Sequence, residues 1–145
     1  MDDAELMLKT ENILLIESNQ NEADTILDII KSLNKKYKCL HFNTPGEAFH
    51  YLKNEKMLPQ LILFGLTQVD YNSIEFLKNL KMDAELKKIP VVMLSPPGDH
   101  LHVLESFNYG VAGYMVKPDN DSELKNTINI IIQYWNMCEL PHRTL

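Results

Sequence analysis

Four short apolar runs, each closed by residues that break regular structure, constrain this 145-residue chain more than any other feature in it. They fall at residues 13–16, 61–65, 91–94 and 114–116. Each is too short for a stable helix and shows no polar alternation. Such runs read as strands buried on both faces, the kind found in the middle of a parallel sheet. The central run, Leu61-Ile62-Leu63-Phe64-Gly65, follows Pro59-Gln60 and gives way to the polar segment 66–72.

Segments of helical period lie between the runs. Asn19 and Glu22 have capping-box spacing ahead of Ala23, Ile26, Leu27, Ile30 and Leu33. Residues 37–42 alternate well enough to form a second strand. Thr44-Pro45-Gly46-Glu47 places a capping hydroxyl, a first-turn proline and an acid at a helix start, with Ala48, Phe49 and Leu52 inward. Asn72 and Glu75 repeat the capping pattern ahead of Ile74, Phe76, Leu77 and Leu80. Ser95-Pro96-Pro97-Gly98 stops the fourth strand, and Asp99 caps a helix that turns Leu101, Leu104 and Phe107 to the core and ends at Gly110. Asn120 and Glu123 open the last helix, with Leu124, Ile128, Ile131, Ile132 and Trp135 on its core stripe. Five such alternations predict a doubly wound, five-stranded parallel sheet in a three-layer α/β sandwich of flavodoxin-like type. The domain is expected over 11–138, after an acidic leader (1–10) and before a short tail (139–145).

Charge narrows the function. The formal net charge of −6 and a pI near 5.3 disfavour nonspecific nucleic-acid binding, which needs a basic surface. Lys35, Lys36 and Lys38 read as a solvated helix end. The most apolar later stretch, 128–132, is far too short to cross a bilayer, so no membrane partner is expected. Cys39 and Cys138 lack metal or redox spacing and suit thiols in a reducing cytosol, which points to a cytoplasmic protein. His100 and His102 read as two exposed histidines at a helix start, with nothing nearby to complete a metal site.

In open parallel sheets, ligands gather beyond the carboxyl ends of the strands. Glu17, Ser18 and Asn19 follow the first run, Gly65 closes the third strand, Ser95 the fourth and Lys117 the fifth. An acid, a hydroxyl and a lysine on one sheet edge suit the handling of a phosphoryl group.

From residue 13 to about 135 the chain closely resembles the receiver domain of two-component response regulators. The resemblance rests on Ile13-Leu14-Leu15-Ile16-Glu17, Pro59-Gln60-Leu61-Ile62-Leu63, Ile89-Pro90-Val91-Val92-Met93-Leu94-Ser95 and Gly113-Tyr114-Met115-Val116-Lys117-Pro118. Tyr134-Trp135 and Leu140-Pro141 also look like the small stand-alone regulators associated with bacterial phytochrome kinases. The resemblance implies that Glu17 is a metal-binding acid, Ser95 the hydroxyl that grips the phosphoryl group, Lys117 its cationic partner and Tyr114 the aromatic switch. It also implies a cis Lys117–Pro118 bond.

Two positions depart from the pattern. Ser18 stands at the second acid position and Gly65 at the phosphate-accepting aspartate. Glycine supplies no carboxylate nucleophile, so no acyl phosphate forms there. With one acid left, Mg²⁺ is expected to bind very weakly or not at all, and no other cofactor is implied. Lys117 is expected within about 4 Å of Glu17, balancing its charge without a metal.

Blander readings stand beside these. Ser18 serves the pocket or caps the first helix; Gly65 fills a vacated site or supplies positive φ; Ser95 is a turn residue and Tyr114 core packing. The leading expectation is a pseudo-receiver, not an enzyme, that acts by protein–protein contact with a sensor kinase or downstream signalling protein. The alternatives are a phosphoaccepting receiver that uses Asp70 or a serine, and a flavodoxin-like cofactor binder. Ile130, Tyr134 and Met137 form a second apolar strip on the last helix, which predicts a homodimer or standing partner contact unless the tail folds over it.

Overall fold

The computed structural model describes residues 12–34, 36–55 and 58–139. The acidic leader and tail residues 140–145, including Leu140 and Leu145, lie outside that range.

Among the described residues, five strands alternate with five helices: β1 Asn12–Ile16, α1 Gln20–Leu33, β2 Lys38–Phe42, α2 Pro45–Asn54, β3 Leu61–Gly65, α3 Asn72–Met82, β4 Val91–Ser95, α4 His100–Asn108, β5 Gly113–Val116 and α5 Asp121–Asn136. A 3₁₀ turn, Leu86–Lys88, precedes β4. The strands form the one five-stranded parallel sheet that the alternation predicts, in the order β2-β1-β3-β4-β5.

Both faces of the central strands are covered, which explains why their sequences do not alternate. Ile13, Leu15, Leu61, Leu63, Val92 and Leu94 pack under α1 and α5. Leu14, Ile16, Ile62, Phe64, Val91 and Met93 pack under α2 and α3. The edge strand β5 is only half-buried, unlike the fully covered strand its composition suggests.

Helix starts follow the capping chemistry with one exception. Asn19, Thr44, Asp99 and Asn120 accept hydrogen bonds from the backbone N–H groups of Glu22, Glu47, His102 and Glu123. Asn72 does not cap α3. Asp70 does so instead, its Oδ1 accepting from Asn72 N (2.9 Å) and Ser73 N (3.3 Å). Gly110 ends α4 with φ of 83°, a left-handed conformation that favours glycine.

Helix α4 reverses its expected orientation. Leu101, Leu104 and Phe107 are 61%, 48% and 53% exposed, whereas His102 and Ser106 are fully buried. Periodicity alone assigns an apolar ridge to the core. Here the polar side found hydrogen-bond partners inside, so burying it carries no desolvation penalty for an unpaired group. His102 is therefore not the exposed helix-start histidine that the sequence suggests. The Lys117–Pro118 bond is also not cis, since no described peptide bond is. The trans isomer is the intrinsically favoured one.

Candidate functional site

The parallel register brings the strand ends together. Ile16 lies beside Phe64 and Phe42, and Gly65 beside Leu94, so Glu17 emerges next to Gly65 at the carboxyl edge. The backbone of Glu17 is pinned to β2. Its N–H donates to Phe42 O (3.1 Å), and its carbonyl oxygen lies 2.8 Å from His41 Nε2.

The Glu17 side chain is fully buried. Its Oε1 lies 3.4 Å from Thr67 Oγ1 and 3.7 Å from Lys117 Nζ, within the expected range. Its Oε2 is shielded from solvent and has no hydrogen-bond partner. Burial pushes the carboxyl up to about 7; Lys117 opposes the rise and Glu22 reinforces it.

Lys117 is set by its own backbone, whose N–H donates to Ser95 O at 2.7 Å. Its ammonium reaches Glu17, donates to Glu22 Oε2 and donates to Leu66 O at 3.0 Å. One cation thereby ties β5 to the loops after β1 and β3 and to the first turn of α1. Glu22 is the site residue that the sequence reading missed. It was assigned to a capping box, yet only its backbone N–H meets Asn19; the carboxylate turns to Lys117. Its place one turn into α1, on the pocket side, was the available signal.

Gly65 has no positive φ, so conformational freedom does not account for it. Space does. A Cβ there would stand 3.1 Å from Glu17 Oε2 and 3.3 Å from Glu17 Cδ. The Glu17 carboxyl thus crowds the position from which a side chain of residue 65 would start. Ser18 is exposed, and Asn19 takes the capping role. Above Gly65 opens a cleft of about 410 Å³ lined by Ser18, Asn19, Thr44, Thr67 and Asp70 among others.

Ser95 is fully buried at the end of β4, where its hydroxyl donates to Pro96 O (2.9 Å). Half-buried Tyr114 places its hydroxyl 3.2 Å from Ser95 Oγ and 2.7 Å from His102 Nδ1. Tyr114 is therefore neither free nor plain core packing. Ile130, Tyr134 and Met137 belong to a separate surface, the solvent side of α5, and each is more than half exposed.

The donor set is short of carboxylates for a divalent cation. The two carboxylates nearest the strand ends, Glu17 and Glu22, already hold the Lys117 ammonium between them. Ser18 and Gly65 contribute no carboxylate, and the free oxygen of Glu17 is closed off. Among the described residues, no group of three or more His, Cys, Asp or Glu side chains is placed to hold a metal.

No family model matches the chain. Among curated proteins it is similar to the chemotaxis protein CheY-3 of Vibrio cholerae, 30% identical over 133 residues that cover 88% of this chain and 96% of that one. It is also similar to the response regulator Rcp1 of Synechocystis, 24% identical over 85% of this chain and 87% of the relative. Among solved structures, the phosphorylated cyanobacterial phytochrome response regulator RcpA superposes with a TM-score of 0.81 at 28% identity, covering 90% of this chain and 98% of that one. Sheet order, strand-end residues and a relative matched along nearly its whole length agree: the chain belongs to the receiver domains of response regulators, the family of two-component signalling.

Proposed function

We propose that this receiver works by protein–protein contact without aspartyl phosphorylation. The observation that carries the reading is the end of β3. Gly65 offers no nucleophile, and the Glu17 carboxyl crowds the point from which one would project. Glu17 does not substitute, because both its oxygens are buried and one faces the Lys117 ammonium. Asp70 is committed to capping α3, which argues against it as an alternative acceptor. With Lys117 already held by two carboxylates, charge balance requires no metal, and Mg²⁺ binds very weakly or not at all. The loop after β1 lacks the glycines that cradle a cofactor phosphate, which disfavours a flavodoxin-like binder.

On this reading the protein is a cytoplasmic signalling module rather than an enzyme, and its partner is a sensor kinase or downstream signalling protein. No described helix is long and apolar enough to cross a membrane. The exposed strip Ile130, Tyr134 and Met137 supports a homodimer or standing contact through α5.

Incubation with acetyl phosphate and Mg²⁺, followed by intact-mass spectrometry, tests the central claim beside a receiver that carries the aspartate. The expected result is no phosphoryl gain. Stoichiometric labelling overturns the reading, and peptide mapping of the label to Asp70 or a serine establishes the phosphoaccepting alternative.

A further inference from the structure

Helix α4 turns its polar side inward and its apolar side outward. At about 100° per residue, Leu101, Leu104 and Phe107 lie roughly half a turn from His102 and Ser106. The only fully buried residues of α4 are those two polar ones. Hydrophobic burial would favour the opposite roll, because sealing the ridge removes apolar surface from water. Something specific must oppose it.

We infer that His102 is a bolt that fixes the roll of α4 and holds the ridge of Leu101, Leu104 and Phe107 outward. Its imidazole reaches two other elements directly. Nε2 lies 2.8 Å from Ser73 Oγ at the start of α3, and Nδ1 lies 2.7 Å from the Tyr114 hydroxyl on β5. Through Tyr114 the chain of contacts continues to Ser95 at the end of β4. Ser73 donates its own proton to Asp70 O (2.9 Å), so its oxygen accepts from Nε2–H. That tautomer leaves Nδ1 as an acceptor. The Tyr114 hydroxyl has one proton for two acceptors, Nδ1 at 2.7 Å and Ser95 Oγ at 3.2 Å, and the shorter contact, to Nδ1, takes it. The ring also sits between those of Tyr71 and Tyr114, edge to face, with centroids 5.5 and 5.6 Å away.

The loop above the bolt is fitted to it. A Cβ at Gly98 would stand 2.6 Å from Val69 Cγ2 and 3.1 Å from the Tyr114 hydroxyl. Glycine lets the segment between β4 and α4 close over Tyr114 while touching the loop after β3; a larger residue would displace the Val69 side chain. Rolling α4 would deprive the buried Ser73 Oγ and the half-buried Tyr114 hydroxyl of a partner that each now has. The loss of those bonds opposes the gain from hiding three half-exposed apolar side chains. This deepens the contact-module reading by naming what sets one exposed face. Because the test reads helix position rather than partner binding, either idea can fail alone.

The test compares the full chain with His102→Leu, which keeps bulk and removes both ring nitrogens. Amide exchange over residues 100–108 is expected to accelerate by about tenfold or more, with α1 and α5 unchanged. A soluble paramagnetic agent should broaden the Leu101 and Leu104 methyl signals strongly in the wild type and less in the variant, as the ridge turns inward. Should His102→Leu fail to fold, Tyr114→Phe and Ser73→Ala each remove one hydroxyl with little change in volume. Each should show a smaller acceleration confined to α4, and His102→Gln should recover part of the protection. Unchanged exchange in α4, or equal acceleration in every helix, overturns the bolt and leaves His102 an ordinary core residue.

Discussion

Consider Glu17→Gln, which keeps the shape of the side chain and removes its charge. Burial raises the carboxyl from 4.5 to about 7 in the folded protein, against the pull of Lys117. The folded state therefore holds a proton that the unfolded state releases between those values. Stability from this group is fully present below about pH 4.5 and is lost as pH rises through 7. A rise of that size corresponds to about 3 kcal/mol, an upper figure because other groups respond as Glu17 ionises. Glutamine resembles the protonated acid, so the two proteins should be nearly equal at about pH 5 and diverge above it. Lys117 keeps Glu22 and the Leu66 carbonyl in the variant, which limits the cost of losing Glu17. Urea unfolding at several values between about pH 5 and 8 measures this, and histidine titrations common to both proteins cancel in the difference. The variant should gain on the wild type by roughly 2–3 kcal/mol across that range. A difference that stays flat, or that shrinks as pH rises, refutes the claim that Glu17 is buried against its ionisation.

Gly65→Asp places a second carboxylate against Glu17 and should cost about 2–3 kcal/mol without creating a phosphoryl acceptor. A double-mutant cycle with Glu17→Ala should then recover at least about 1 kcal/mol beyond additivity, read by urea unfolding and acetyl-phosphate labelling. If α5 carries a homodimer, sedimentation at micromolar concentration shows a wild-type dimer, while Ile130→Glu and Tyr134→Glu are monomers; a wild-type monomer removes the homodimer. At the acid end, a hydrogen bond from Lys53, then backbone N–H groups, pull Asp83 from 3.8 to about 2. Its contribution is present above 3.8 and lost as pH falls toward 2, so Lys53→Met should move acid unfolding, followed by circular dichroism, to higher pH.

The sheet was legible because doubly covered strands leave an unmistakable trace, short apolar runs ended by breakers. Caps were legible where Asn, Thr or Asp preceded a periodic segment, and ambiguous at α3, where Asp70 and Asn72 both qualify on chemistry. The roll of α4 was not legible. Ser73 and Tyr114, which make burial of His102 tolerable, come from distant parts of the chain, and no local pattern announces their meeting. In the pocket, the approach of Lys117 to Glu17 followed from two charges at neighbouring strand ends. The part played by Glu22 did not, because an acid in a first helical turn has a sufficient explanation in capping and the helix dipole.

Lys117 has one more consequence, for the order in which the molecule comes together. It bonds to Glu22 and to Leu66, partners 95 and 51 residues away in sequence. Until β5 docks, β1 and β3 can pair, but closing them shuts Glu17 away from water without its counter-ion, so the carboxyl must either take up a proton or bear an unpaired charge. A half-assembled sheet is thus penalised at its centre, and arrival of the last strand lifts the penalty. The cation works as a completeness check, suppressing partly folded forms and making assembly of the sheet close to all-or-none.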